Sequence, residues 1–165
     1  MPETPTTAPP GAEGPKGGRR KARKRAFEIL YGLHFEPPAD ERSLSRRFAA
    51  CPRDEDVPSR PENSDFAWEL VLGAWNAQRE LDEVIARFSK NWKLTRIAKV
   101  ELTILRLAMH EILHRQDIPL RVAINEAVEL AKTYGDDNSP TFVNGILDAV
   151  ARAVDNGEFT IRKGL

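Results

Sequence analysis

The chain has 165 residues, with 25 Lys and Arg against 25 Asp and Glu, and a single cysteine, Cys51. That length suits one domain able to bury about two-thirds of its unfolded surface, and one cysteine excludes an intramolecular disulfide or a Cys-rich zinc cluster, as fits a reducing cytosol. No stretch approaches the ~20 apolar residues of a membrane span, and the first residues, PETPTTAPPGAEGP, lack the apolar run of a secretion signal, so a soluble cytoplasmic protein is expected.

Residues 1–18 are rich in Pro, Thr and Gly and cannot bury enough apolar surface to offset ordering, so they are expected to form a disordered tail ahead of a domain at 19–158. The neutral total hides a local excess. Lys16, Arg19, Arg20, Lys21, Arg23, Lys24 and Arg25 fall within ten residues that contain no acid, which leaves the rest of the chain seven charges negative. Such an imbalance argues for one local site that meets phosphates, against the simpler reading of a solvated basic tail.

The first helix is expected from Arg19, with Ala22, Ala26, Ile29, Leu30 and Leu33 inward and Pro37-Pro38 ending it. Arg20, Lys24, Phe27 and Tyr31 share the other side. Cations beside aromatics suit single-stranded RNA, whose unstacked bases can lie on a ring; filling a second packing face is the alternative for Phe27 and Tyr31.

A short helix over 40–50 follows, then a surface loop at 51–62, in which Cys51 is a thiol without an evident function. Helical periodicity resumes at Asn63 or Ser64 and runs to about Lys90 through Phe66, Leu70, Val71, Ala74, Leu81, Val84, Ile85 and Phe88, with a break near Gln78. Trp92 and Leu94 lead into another helix from about Arg96 to His114, with Ile97, Val100, Ile104, Leu107 and Ala108 inward.

Pro119 suits a first helical position, and Leu120, Ala123, Ile124, Ala127, Leu130, Ala131 and Tyr134 recur as one apolar stripe. Gly135 is expected to stop that helix in the left-handed conformation, Asp136 to Asn138 to turn, Ser139 to cap the last helix and Pro140 to open it. Gly145, inside the last helix, reads as a point of close backbone approach. No alternating strand pattern or internal repeat is present, and residues 159–165 read as a C-terminal tail. The expected fold is all-α, with about seven helices in two packed subbundles.

The residues VAINEAVELAK, a turn and then FVNGILD resemble the C-terminal signature of the NusB family of bacterial transcription antitermination proteins. Arg19-Arg20-Lys21-Ala22-Arg23 with Leu30-Tyr31 resembles that family's arginine-rich first helix, and Ile104-Leu105-Arg106-Leu107-Ala108 with Glu111 its central helix. The resemblance runs from about Arg19 to Ala151 and is weakest from His34 to Asn63.

It implies the same helical architecture and a non-enzymatic role without cofactor: binding single-stranded boxA RNA of nascent ribosomal RNA transcripts with NusE, a small-subunit ribosomal protein, in the RNA polymerase elongation complex, to suppress premature termination. Candidate RNA contacts are Arg19, Arg20, Lys21, Arg23, Lys24 and Tyr31 on the first helix and Lys132, Asn138, Ser139 and Phe142 around the last turn. Phe142 also fits the core by phase. Glu101 and Arg106 are the candidate NusE contacts, against the alternative of solvated charges. Asn138 stands where the family often has aspartate, and losing that charge is expected to favour RNA. A homodimer that hides the RNA surface is left open.

Two alternatives differ in class. Ribosomal RNA cytosine methyltransferases carry a NusB-like domain, so a detached RNA-targeting domain is one; length and the lack of a cofactor loop weigh against it. The other is a zinc hydrolase, because His110-Glu111-Ile112-Leu113-His114 matches H-E-x-x-H. The metzincin extension fails at Asp117 and Leu120, and Glu126 and Glu129 come too early for a third ligand. Helical phase instead points Glu111 inward along Ile104, Leu107 and Ala108, as a buried carboxylate in need of a hydrogen-bond partner, with both histidines on the flank.

Overall fold

The computed structural model describes residues 18–51, 61–89 and 93–159. Among them are seven α-helices and no strand: α1 (Gly18–Gly32), α2 (Glu41–Ala50), α3 (Pro61–Asn76), α4 (Gln78–Phe88), α5 (Lys99–His114), α6 (Leu120–Tyr134) and α7 (Ser139–Asp155), with one 3-10 turn at Leu94–Arg96. Of the tail expected at 1–18, Gly18 already belongs to α1 and residues 1–17 lie outside the described residues, as do the loop residues 52–60, Trp92 and residues 160–165. Phe159, expected in a tail, instead meets the Phe88 ring edge-on at 6.1 Å.

Helix α5 is the axis of the molecule. It packs against α1 and α3 on one side and against α4, α6 and α7 on the other, so the two subbundles share one continuous apolar core. Every residue from Leu102 to Ile112 except Arg106 is buried, because a helix surrounded by others must be apolar nearly all round. Helix α1 lies against α3, with Ala26, Phe27 and Ile29 inward, and α2 joins this group through Phe48, whose ring meets Trp68 at 5.2 Å.

Local chemistry sets the boundaries, and several differ from expectation. Asp40 caps α2, its Oδ1 accepting from the Ser43 amide at 2.8 Å. The α3–α4 break falls at Ala77, one residue before Gln78, and α3 begins at Pro61 rather than Asn63. Helix α1 ends at Gly32, five residues before Pro37. The chain from Leu33 to Glu36 then turns on its own backbone bonds, such as Phe35 N–H to Gly32 carbonyl at 3.1 Å. Helix α5 starts at Lys99 and not Arg96, since Ile97 and Ala98 are extended.

Two glycines behave otherwise than expected. Gly135 is extended (φ −91°) rather than left-handed; what it provides is room, because a Cβ there would lie 2.4 Å from Ser139 Oγ and 2.8 Å from the Ala131 carbonyl. Gly145 faces open space, with nothing within 4 Å of a built Cβ, so no backbone approaches it.

Candidate nucleic-acid interface

The basic residues of α1 divide by phase. Arg23 points inward, is 3% exposed and donates from Nε to Glu111 Oε1 at 2.8 Å, with Glu126 3.9 Å away. This supplies the partner that a buried Glu111 requires, and it corrects the expectation for Arg23: a guanidinium sealed against a carboxylate is not presented to phosphate. Arg20 is exposed and reaches Glu126 with two bonds, Nε to Oε2 at 3.3 Å and Nη2 to Oε1 at 3.0 Å. Arg19 meets Asp117 at 3.1 Å and lies over the Phe66 ring. Arg115 and Arg19 hold the Asp117 carboxyl below the usual carboxylate range, at about 2. Arg25 turns to the Phe48 carbonyl, donating to it at 2.8 Å, whereas Lys21 and Lys24 are both exposed and have no ion-pair partner among the described residues.

The aromatic side of α1 also divides. Phe27 is 1% exposed and stacks on Tyr134 at 4.3 Å, so it belongs to the core. Tyr31 is half-buried, parallel to Phe27 at 5.8 Å, and meets the exposed Phe35 edge-on at 5.3 Å. The ring row thus runs from interior to surface, at one-turn spacing. Phe35, with the Lys99 ammonium 4.8 Å from its ring centroid, had no sequence signal beyond its spacing from Tyr31.

At the α6–α7 turn, Lys132 is exposed and pairs with Glu129 at 3.2 Å. The Tyr134 hydroxyl donates to Glu28 at 2.8 Å, and burial together with that carboxylate pushes its pKa up. Asp136, which sequence reasoning treated only as a turn former, does the capping: its Oδ1 accepts from the amides of Asn138 at 2.8 Å and Ser139 at 3.1 Å.

Ser139, expected both to cap and to contact RNA, is 2% exposed and occupies the first turn of α7 itself. Its Oγ accepts from the Asp136 amide at 3.0 Å and lies 2.9 Å from Glu101 Oε1. A buried hydroxyl committed in this way does not reach a ligand. Asn138 is exposed and its side chain caps nothing, and Phe142 is half-buried, packed against the core.

The expected partner contacts also have internal roles. Glu101 is half-buried and holds Ser139. Arg106 forms a two-bond pair with Asp82 of α4, at 2.7 and 2.9 Å, and so is not the solvated charge its phase suggested.

The H-E-x-x-H segment is divided by packing. Glu111 is taken by Arg23, while His114 faces Glu80 at 3.2 Å. His110 is not on a flank but 6% exposed, filling the space that a side chain at Gly73 would need, where a Cβ would lie 2.1 Å from its Cε1. Burial, with His114 and Arg115 nearby, lowers its pKa to about 4, so its ring is neutral at pH 7. The glutamate that would activate water in a zincin is here one half of a structural ion pair.

A family model described as the NusB family matches residues 20–152. Among relatives, the "Transcription antitermination protein NusB" of Oleidesulfovibrio alaskensis is 48% identical over 92% of this chain and 98% of its own length. The protein of that name from Carboxydothermus hydrogenoformans is 45% identical over 83% and 94%. Among solved structures, T. maritima NusB superposes with a TM-score of 0.71 at 33% identity, over 89% of this chain and 99% of that one. A chain from the crystal structure of the antitermination factors NusB and NusE in complex with dsRNA reaches a TM-score of 0.68 at 23% identity, over 84% and 99%, a likeness that bears on the fold alone.

Proposed function

The chain belongs to the NusB family, and from that premise we propose that it is a non-enzymatic, cytoplasmic RNA-binding factor of transcription antitermination. With NusE it binds the single-stranded boxA element of nascent ribosomal RNA transcripts and, through the elongation complex, suppresses premature termination. The observation that carries the RNA reading is the exposed face of α1, where Lys21 and Lys24 have no ion-pair partner among the described residues and the half-buried Tyr31 meets the exposed Phe35.

Phosphates are met first by Lys21 and Lys24. Arg19, Arg20 and Lys132 contribute by exchanging Asp117, Glu126 and Glu129 for phosphate oxygens. Tyr31 and the half-buried Phe142 offer stacking surface. Arg23 and Ser139 support this surface from beneath. The NusE side includes Glu101 and the first turn of α5, with Arg106 holding α4 in place.

Fluorescence anisotropy of labelled boxA RNA against a scrambled RNA, with and without NusE, tests the reading. Selective binding that tightens with NusE is expected, falling roughly fiftyfold between 50 and 200 mM salt if about four phosphates are neutralised. Equal binding to both RNAs would reduce the protein to a general RNA-binding domain, and no binding would refute the proposal.

A further inference from the structure

Between α5 and the α6–α7 turn runs a short chain of hydrogen bonds. Glu101, in the first turn of α5, accepts from Ser139 Oγ at 2.9 Å; that Oγ accepts from the Asp136 amide at 3.0 Å; and Asp136 Oδ1 accepts the amides of Asn138 and Ser139. The hydroxyl has one proton to give, and Glu101 is its nearer acceptor, since Asp136 Oδ1 lies at 3.2 Å. Ser139 is buried, and the bare Cα of Gly135 leaves it room to sit there. All the capping is done by Asp136, so the exposed Asn138 side chain owes nothing to the turn.

From this we infer that Glu101 is a positioning residue for RNA: through Ser139 and Asp136 it fixes the backbone that presents Asn138, 37 positions away in sequence but one hydrogen-bond chain away in space. The physical argument is the orientation of the hydroxyl. With a carboxylate at Glu101, the Ser139 proton points to α5 and its lone pairs remain for the Asp136 amide. Without it the proton turns to Asp136 Oδ1, which then competes with the two amides that shape the turn. The inference rests on the RNA reading above and gives Glu101 a role apart from touching NusE.

The test is boxA RNA affinity, measured without NusE on the full chain, for Glu101→Ala, Ser139→Ala, the double variant and Glu101→Gln. Each alanine variant should bind roughly three- to tenfold more weakly. The double variant should be no weaker than the singles, because both break one chain. Glu101→Gln, whose amide oxygen can still accept from Ser139, should restore affinity. In proton–nitrogen correlation spectra the Asn138 and Ser139 amide peaks should move in both alanine variants and return with glutamine. Lys24→Ala, on a separate element, should multiply with Glu101→Ala.

Unchanged RNA affinity in Glu101→Ala, or losses that multiply in the double variant, would overturn the inference, as would a Glu101→Ala effect confined to NusE affinity. Wild-type protein that failed to bind boxA RNA would instead sink the antitermination reading itself.

Discussion

Along the amino-terminal half of α1, cations are answered by carboxylates from distant parts of the chain: Arg19 by Asp117, Arg20 by Glu126, Arg23 by Glu111. From Gly135 to Ser139 no such ion pair forms among the described residues, and shape comes from backbone amides, one capping carboxylate and one buried hydroxyl. In the first region charge is abundant but much of it is committed internally. In the second a modest sequence produces a defined surface. A count of arginines therefore overstates the phosphate contacts available on α1, and composition gives no measure of the turn.

The hardest test of this contrast is Arg23→Ala. If Arg23 is structural, the variant should lose about 3–5 kcal/mol of stability in urea denaturation, because it removes the guanidinium that answers the buried Glu111 carboxylate. A fully stable variant with weakened RNA binding would return Arg23 to the interface. Gly135→Ala probes the turn in the same way. Its Cβ has backbone as well as side chain to displace, so a loss of about 1–3 kcal/mol is expected, and no loss would mean that the turn is loose.

The next difference is between paired and unpaired cations. Lys24→Ala should flatten the dependence of log affinity on log salt by about 0.7, the single-strand value for one phosphate, and Arg20→Ala by less, because its charge is already partly answered by Glu126. Equal slopes would erase the distinction. The smallest effect should come from Asn138→Asp, which places one negative charge on the exposed turn and should weaken RNA binding roughly two- to fivefold; an aspartate variant that bound as tightly would take Asn138 off the interface.

The helical architecture was legible because its signals are local. Asp40 before α2, Pro119 before α6 and a near-continuous apolar stripe each act within a few residues. The site was legible only in part, because its determinants are not local. Arg23 and Lys24 are chemically alike and adjacent, and only a carboxylate 88 positions downstream of Arg23 separates their roles. Phe27 and Tyr31 share a helical phase, yet Tyr134 covers the first ring and leaves the second half-open. Glycine's usual left-handed preference misdirected the reading of Gly135, whose requirement is for space. Helical phase placed His110 on a flank because nothing in the motif reveals that Gly73 opens a slot for its ring.

The pairing of Arg20 with Glu126 also bears on the time course of binding. Within the Debye length of roughly 8 Å an approaching strand meets an arginine and its carboxylate as a nearly cancelling pair, whereas Lys21 and Lys24 each present a net positive charge. Association rates should then answer to the two lysines and to salt. The arginines act once the strand is seated and the carboxylates have let go, so their contribution falls on how long the strand stays.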